Sequence, residues 1–392
     1  MLNQKYLNLG VRRSDIRELF EYAKALKAEI GEENVFDFSL GNPSIAPPNS
    51  VNESIKSMVD SVNATTLHGY TSAQGDFNVR KAISDSIKQK FDFFMPTDNI
   101  YMTCGAAASL TITLCALCQA GDTVLGFKPY FPEYAVFTQT SGATFIPVDG
   151  DNDLDIDLDN FEKSINKSVK AVIINSPNNP SGKIYSLEKL NALAKILDKK
   201  SKELGHPIYL ISDEPYREIS YGKEVPYIPA IYDNTIVCYS FSKSLSLPGE
   251  RIGYIAVSPK AYDSQNVYFA IMGAGRALGY VCAPSLFQRV IADNLFAVAA
   301  VELYQKNRDA LCDGLKKLGY TFINPDGAFY LLLKAPDGNG KKLSDLAKKH
   351  NIIMPSGESF GAPEYVRISY CVSYDTIINS MPAFKTLLEE YK

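Results

Sequence analysis

The sequence predicts an α/β fold, with a three-layer large domain around a mainly parallel central sheet and a smaller α+β domain beside it. Between about residues 98 and 258, short apolar runs alternate with helix-like segments, as in chains that build parallel sheets. These runs are continuously apolar, which is expected of strands covered on both faces. After about residue 285, a long helical stretch is followed by short strands and another helix, which predicts a separate α+β unit.

The apolar runs give the predicted strands of the large domain, and Leu187–Leu204 is one of the helices between them. The predicted strands are IYMT (100–103), TVLGF (123–127), TFIPV (144–148), KAVIIN (170–175), IYLISD (208–213), TIVCYS (235–240) and IGYIAV (252–257). Near the N-terminus, Ser14 is a predicted helix cap before a helical apolar pattern that runs from Ile16 to Leu26. VFDFSLGNP, from Val35, is a predicted short strand ending in a turn.

The change of pattern along the chain predicts three parts. Residues 1–13 form an N-terminal arm, residues 14–45 together with 285–392 form the small domain, and residues 46–284 form the large domain. In the small domain, a helix is predicted at Glu302–Leu318, and strands are predicted in GAFYLLLKA and YVRISYCVS.

Composition excludes several classes of protein. The chain has 392 residues, of which 46% are hydrophobic and 21% charged, as in a globular protein with a full core. A net charge of −4 does not favour nucleic acid as a partner, and no apolar run reaches the ~18 residues of a membrane span. The CxxC of Cys115 and Cys118 lies in an apolar run without a second ligand pair, so no metal site is predicted. Buried, reduced thiols are expected instead, and reduced thiols are typical of a cytoplasmic protein.

Polar and aromatic groups follow five of the predicted strands, at the point where each strand ends. Ligands of open α/β sheets bind outside the carboxyl ends of the strands, so these groups are expected to meet in one crevice. The five segments are Cys104-Gly105-Ala106-Ala107, Lys128-Pro129-Tyr130-Phe131, SPNNPSG (176–182), Asp213-Glu214-Pro215-Tyr216 and Phe241-Ser242-Lys243. They supply a helix start suited to an anion, an aromatic ring, amides, a carboxylate with a phenol, and an amine.

Three motifs, SPNNPSG (176–182), SDEPY (212–216) and SFSKSLSLPGERIGY (240–254), occur in this order and spacing. On these motifs the chain resembles the fold-type I, pyridoxal-phosphate-dependent class I/II aminotransferases, and within them the aspartate/aromatic group. The resemblance extends from GNP near residue 41 to VRIS near residue 366. It implies the pyridoxal-phosphate-dependent transferase fold, pyridoxal 5'-phosphate as cofactor, and a homodimer with shared active sites.

The resemblance assigns the central chemistry to Lys243, Asp213 and Tyr216. Lys243 is implied as the lysine that forms a Schiff base with the cofactor and carries the substrate's α-proton, for which its pKa must be depressed. Asp213 is implied as the partner of the pyridine nitrogen, with Glu214 as the alternative. Tyr216 and Asn179 are similar to the residues that hydrogen-bond the cofactor's phenolic oxygen.

The same resemblance implies a ring contact and a phosphate site. Phe131 matches the aromatic residue that stacks on the cofactor ring, with Tyr130 as the alternative. The phosphate is expected to bind between the helix start at Gly105 and other donors, which are the backbone N–H groups of Ala106 and Ala107, the hydroxyls of Ser240 and Ser242, and the guanidinium of Arg251. Tyr70 resembles a tyrosine that reaches the phosphate from a neighbouring subunit. The chain departs from many relatives at Ala106, Ala107 and Ala108, where Ser, Thr or Lys is common.

Four residues are implied at the substrate. Arg367 resembles the arginine that holds the α-carboxylate, and Gly41 and Asn179 are expected beside the same group. Arg276 is predicted to bind a side-chain carboxylate from the other subunit, with Lys128 and Arg217 as weaker alternatives. The many tyrosines of the chain would also admit an aromatic or broad amino-acid pocket.

The predicted function is therefore an aminotransferase that moves an amino group between an L-amino acid and a 2-oxo acid through a pyridoxamine intermediate. Two alternatives stay open at this point. A carbon–sulfur β-lyase shares the fold and the proton abstraction, and a cofactor-binding regulator shares the fold alone.

Overall fold

The computed structural model of the protein describes residues 2–11 and 15–391, so the predicted helix cap at Ser14 lies outside the described residues. The strands are β1 (Phe36–Asp37), β2 (Ile100–Thr103), β3 (Thr123–Phe127), β4 (Thr144–Val148), β5 (Val169–Asn175), β6 (Tyr209–Glu214), β7 (Thr235–Ser240), β8 (Gly253–Val257), β9 (Phe322–Ile323), β10 (Tyr330–Lys334), β11 (Ile352–Ile353) and β12 (Tyr365–Ser369). The helices up to the middle of the chain are α1 (Gln4–Val11), α2 (Asp15–Ile30), α3 (Asn49–Ser61), α4 (Ala64–Leu67), α5 (Phe77–Phe91), α6 (Ala106–Leu117), α7 (Glu133–Thr140), α8 (Leu158–Ser164) and α9 (Leu187–Leu204). The remaining helices are α10 (Phe241–Ser244), α11 (Ser264–Ala277), α12 (Ser285–Asp293), α13 (Val301–Leu318), α14 (Gly340–Ala347) and α15 (Tyr374–Tyr391).

The central sheet has the strand order β2-β8-β7-β6-β5-β3-β4. Its strands are parallel except β8, which runs antiparallel to β2 and to β7. The sheet is therefore mainly parallel, and the predicted fold class is confirmed. The register pairs Asn175 of β5 with Asp213 of β6, and Asp213 with Cys238 of β7, so the carboxyl ends of these strands lie along one edge.

Successive side chains along the strands enter different cores, which explains the continuous apolar runs. Ile173 packs on the face covered by α6 and α11, whereas Val172 packs on the face covered by α8 and α9. Helices thus cover both faces of the sheet and give the three layers. The expectation of two-sided burial is wrong for β4, an edge strand, where the alternate residues Thr144 and Ile146 are exposed.

The smaller unit is built on an antiparallel sheet of order β12-β10-β9, against which α13, α14 and α15 pack. The predicted strand near Val35 is the short β1, which pairs in parallel with β11. This pairing joins the N-terminal and C-terminal parts of the chain. The domain limits at residues 13, 45 and 284 stay predictions. No helix in the described part of the chain is both long enough and apolar enough to cross a membrane.

Candidate active site

A cavity of about 480 Å³ opens at the carboxyl edge of the central sheet. A volume of this size suits a small-molecule ligand. All five strand-end segments contribute to its wall, as the sequence predicted. The lining residues are Ile16, Arg17, Phe20, Leu40, Gly41, Ala106, Ala107, Leu110, Phe131, Glu133, Phe137, Asn175, Asn179, Asp213, Pro215, Tyr216, Lys243, Tyr330 and Arg367.

Lys243 reaches this cavity from α10, the short helix that follows β7. The side chain of Ser240 caps α10 by accepting a hydrogen bond from the Ser242 amide, which fixes the turn that carries the lysine. The Lys243 Nζ donates a hydrogen bond of 2.6 Å to the carbonyl oxygen of Gly41. Burial lowers the pKa of the Lys243 ammonium to about 8, and the positive charge of Arg251 acts in the same direction.

Asp213, near the end of β6, is buried and presents one free oxygen. Its Oδ2 accepts a 2.6 Å hydrogen bond from the Tyr134 hydroxyl, whereas its Oδ1 has no hydrogen-bond partner among the described residues. Burial raises the pKa of Asp213 to about 7. Glu214 is engaged elsewhere, because it accepts a 2.7 Å hydrogen bond from Ser212 and pairs with Arg217 at 2.5 Å. Asp213 is therefore the carboxylate that faces the cavity, and Arg217 is occupied by Glu214.

The aromatic residues near Asp213 divide into two groups. Phe131 lines the cavity and meets Tyr134 edge to face, with ring centroids 5.7 Å apart. Tyr130 instead packs on Phe145 at 5.2 Å, and it is absent from the described wall of the cavity. Of Phe131 and Tyr130, Phe131 is thus the one whose ring lines the cavity.

Tyr216 and Arg367 form the wall next to the smaller unit. The Tyr216 and Tyr330 hydroxyls are 3.0 Å apart. Arg367 is buried between the rings of Tyr330 and Phe360, and its guanidinium donates to Asn179 Oδ1 at 3.2 Å and to the Ser39 carbonyl at 2.6 Å. Its Nε is without a partner, and no described acidic residue lies within the 4.0 Å of an ion pair. A buried guanidinium in this state is a strong site for a ligand carboxylate.

The predicted phosphate residues cluster at one end of the cavity. Gly105, with φ +89°, precedes α6, and a Cβ atom there would lie 2.9 Å from Arg251 Nη2. Gly253 brings β8 close, since a Cβ on it would lie 3.0 Å from the Gly105 Cα, and it pairs with Ser240. Ser240 in turn hydrogen-bonds the Ser242 hydroxyl at 2.7 Å. Ala106 and Ala107 line the cavity itself, whereas Arg251, Ser240 and Ser242 are not among its described lining residues.

Two predicted residues lie outside the cavity of their own chain. Tyr70 is 99% exposed, and Arg276 is exposed near the end of α11. Their contribution from a neighbouring subunit stays a prediction. Lys128, a weaker alternative for the substrate's side chain, is engaged with Asp149 at 2.7 Å.

Sequence reasoning missed Tyr134, Tyr330, Arg17 and Glu133. Tyr134 and Tyr330 lie in apolar stretches that resemble ordinary core, and Arg17 lies in a helix assigned only by its periodicity. Glu133 follows the predicted Phe131 by two residues, so its position beside a strand end was the one available signal.

The fold and the cavity define a pyridoxal-phosphate-dependent transferase architecture with a lysine, a buried aspartate and a buried arginine facing one space. The chain belongs to the aminotransferase class I and II family, which matches residues 33–379. It is therefore an enzyme that transfers nitrogenous groups, and members of its family use pyridoxal phosphate.

Individual relatives agree with this assignment. An aminotransferase from Eubacterium rectale has a crystal structure that matches with a TM-score of 0.98 and 49% identity, covering 100% of this chain and 99% of that one. A probable aspartate aminotransferase of Methanocaldococcus jannaschii is 28% identical over 97% of this chain and 98% of its own length. The aspartate aminotransferase of Thermotoga maritima matches in structure with a TM-score of 0.86 and 27% identity, covering 97% and 98% of the two chains.

Proposed function

We propose that this aminotransferase holds pyridoxal 5'-phosphate in the described cavity and exchanges amino groups between an acidic, aspartate-type L-amino acid and a 2-oxo acid. The observation that carries the proposal is the free Oδ1 of buried Asp213 in the same cavity as the Lys243 amine. When bound, the cofactor would supply an aldehyde that captures amines and a ring that accepts electrons.

The residues present fit this cofactor. A buried carboxylate with an unpartnered oxygen is costly unless a donor meets it, and a protonated ring nitrogen is such a donor. The Phe131 ring lines the wall beside it, and Gly105 with Arg251 offers backbone space and positive charge to a phosphate. Lys243 supplies the amine for covalent attachment.

The residues at the opposite wall fit an amino acid. Arg367 would take the α-carboxylate, because it is buried, planar and without an acidic partner among the described residues. This grip would leave the α-carbon between Arg367 and Lys243. The Lys243 Nζ, with a pKa of about 8, would accept the α-proton near neutral pH, and the resulting ammonium would give that proton up again within the same half-reaction.

We further propose that the enzyme is a homodimer in which Tyr70 reaches the partner's phosphate site. A tyrosine that is 99% exposed on its own chain has no packing role there, and such exposure suits a contact with a second subunit.

A product assay tests the proposed function. Purified holoenzyme is mixed with aspartate, glutamate, leucine, phenylalanine or a thioether amino acid, with and without a 2-oxo acid acceptor. We expect the keto acid to accumulate beyond one equivalent of enzyme only when the acceptor is present. Ammonia and pyruvate released without an acceptor would instead show the carbon–sulfur β-lyase.

A further inference from the structure

Tyr330 lies where the cofactor side and the substrate side of the cavity meet, and the proposed function gives it no role. It is the first residue of β10, its side chain is 3% exposed, and it lines the cavity. Its hydroxyl contacts Tyr216, whereas its ring contacts Arg367. Each of these two contacts has its own consequence for the site.

The Tyr330 hydroxyl lies 3.0 Å from the Tyr216 hydroxyl, and neither has another hydrogen-bond partner among the described residues. A phenol carries one proton, so only one of the two hydroxyls can donate to the other. The family resemblance implies that Tyr216 donates its proton to the phenolic oxygen of the cofactor. In that case the proton between the two tyrosines must come from Tyr330, which therefore fixes the direction in which Tyr216 donates.

The position of the Tyr330 hydroxyl is restricted from two sides. The rings of Tyr216 and Tyr330 meet edge to face, with centroids 5.7 Å apart and an angle of 85° between the planes. A Cβ atom on Gly41 would overlap the Tyr330 hydroxyl, so the glycine leaves the space that this hydroxyl fills. Tyr330 is thus confined between Tyr216 and the backbone segment whose carbonyl oxygen accepts the hydrogen bond from Lys243.

The ring of Tyr330 lies against Arg367 because of the register of the smaller sheet. β10 and β12 are antiparallel, and Tyr330 is paired with Ser369. Arg367 comes two residues before Ser369, so it is the diagonal neighbour of Tyr330 on the same face, within reach of a long side chain. The guanidinium carbon is 4.6 Å from the centroid of the Tyr330 ring. Such a contact stabilises a buried cation.

We infer that Tyr330 is a positioning residue with two separate functions. Its hydroxyl donates to Tyr216 and directs the Tyr216 proton towards the cofactor, and its ring holds Arg367 in place for the α-carboxylate. A donor that itself accepts a hydrogen bond stabilises an anionic oxygen better, so the Tyr330 hydroxyl should lower the pH at which the bound cofactor takes up a proton. This inference rests on the proposed function.

The hydroxyl is tested through the pH midpoint of the visible absorbance of the bound cofactor, measured in the holoenzyme. We expect Tyr330→Phe to raise this midpoint by about 0.3 to 1 pH unit. In a Tyr216→Phe background the same substitution should shift it by less than about 0.2 pH unit, because the residue that transmits the effect is gone. An equal shift in both backgrounds, or no shift in the single variant, would overturn this part of the inference.

Tyr370→Phe is the matched control for the loss of a tyrosine hydroxyl. Tyr370 is buried in the same core of the smaller unit and its hydroxyl also meets another tyrosine hydroxyl, that of Tyr221, at 3.3 Å. Tyr370 is not among the described lining residues of the cavity. Its substitution should leave the midpoint unchanged, and a shift as large as that of Tyr330→Phe would show a general effect of the core instead.

The ring is tested by ligand binding to the holoenzyme, which gives a readout independent of turnover. The Kd of the unreactive dicarboxylate maleate and of the monocarboxylate 3-phenylpropionate is measured for Tyr330→Phe and Tyr330→Leu. We expect Tyr330→Phe, which keeps the ring, to stay within about threefold of the unmodified enzyme, and Tyr330→Leu to weaken both ligands by about 5- to 30-fold. Equal weakening by the two substitutions, or no loss in Tyr330→Leu, would overturn the function of the ring.

Failure of the inference can be told apart from failure of the proposed function. If the unmodified enzyme binds pyridoxal phosphate and converts amino acids, but Tyr330→Phe leaves the midpoint unchanged, the aminotransferase proposal stands and the role of the Tyr330 hydroxyl is wrong. If the unmodified chain binds no pyridoxal phosphate, or converts no amino acid with an acceptor present, the proposed function itself is wrong.

Discussion

The free carboxylate oxygen of Asp213 has a measurable consequence for stability. Its pKa is raised by burial from 3.8 to about 7. At about 1.4 kcal/mol per pKa unit, this rise corresponds to about 4 kcal/mol. Between these two pH values the folded apoprotein binds more protons than the unfolded chain, so its free energy of unfolding should fall as pH rises from about 4 to about 7.

The substitution Asp213→Asn removes this titration while keeping an oxygen that accepts from Tyr134. The free energy of unfolding of both apoproteins is measured by denaturant titration at several pH values, at one fixed protein concentration. The variant should gain stability relative to the unmodified chain as pH rises, by about 4 kcal/mol between pH 4 and pH 8. A difference that is independent of pH over this range would refute the buried, unpartnered state of Asp213.

Three further predictions concern the same cavity. Tyr134→Phe removes the donor to Asp213 Oδ2, so we expect apoprotein to bind pyridoxal phosphate about 10- to 100-fold more weakly in an equilibrium titration; unchanged affinity would remove Tyr134 from the site. Arg367→Lys should raise the Kd of maleate and of 3-phenylpropionate alike by about 10-fold or more, because both share one carboxylate grip; a loss confined to maleate would place Arg367 at the side chain instead. Amine labelling of Lys243 in the apoprotein should titrate with a midpoint near pH 8, since burial disfavours the ammonium; a midpoint near 10.5 would show an ordinary exposed lysine.

Local sequence order was sufficient to predict most of the large domain. The continuous apolar runs located the strands, and in β7 the predicted and observed limits coincide. Because parallel strands end at one edge, the residues after each run could be assigned to one crevice without a structure. That is why Lys243, Asp213 and Phe131 were predicted together and are found together.

The sequence did not predict which side chains from distant parts of the chain contact each other. The sequence does not reveal which of Asp213 and Glu214 faces the cavity; in the structure Asp213 lines it, and Glu214 pairs with Arg217. Tyr134 and its hydrogen-bond partner Asp213 are 79 positions apart in the chain, and the residues around Tyr134 do not mark it as part of the site. The apolar sequence of β4 does not reveal that Thr144 and Ile146 are exposed, whereas β2, at the other edge of the sheet, is buried throughout.

The most direct test of the account is the site of covalent attachment of the cofactor. Holoenzyme is treated with borohydride, digested, and mapped by peptide mass, with Lys243→Ala as the comparison. The account predicts a pyridoxyl-phosphate mass on the peptide that contains Lys243 and no labelled peptide from the variant. A label on any other lysine, or full amino transfer by Lys243→Ala, would contradict it.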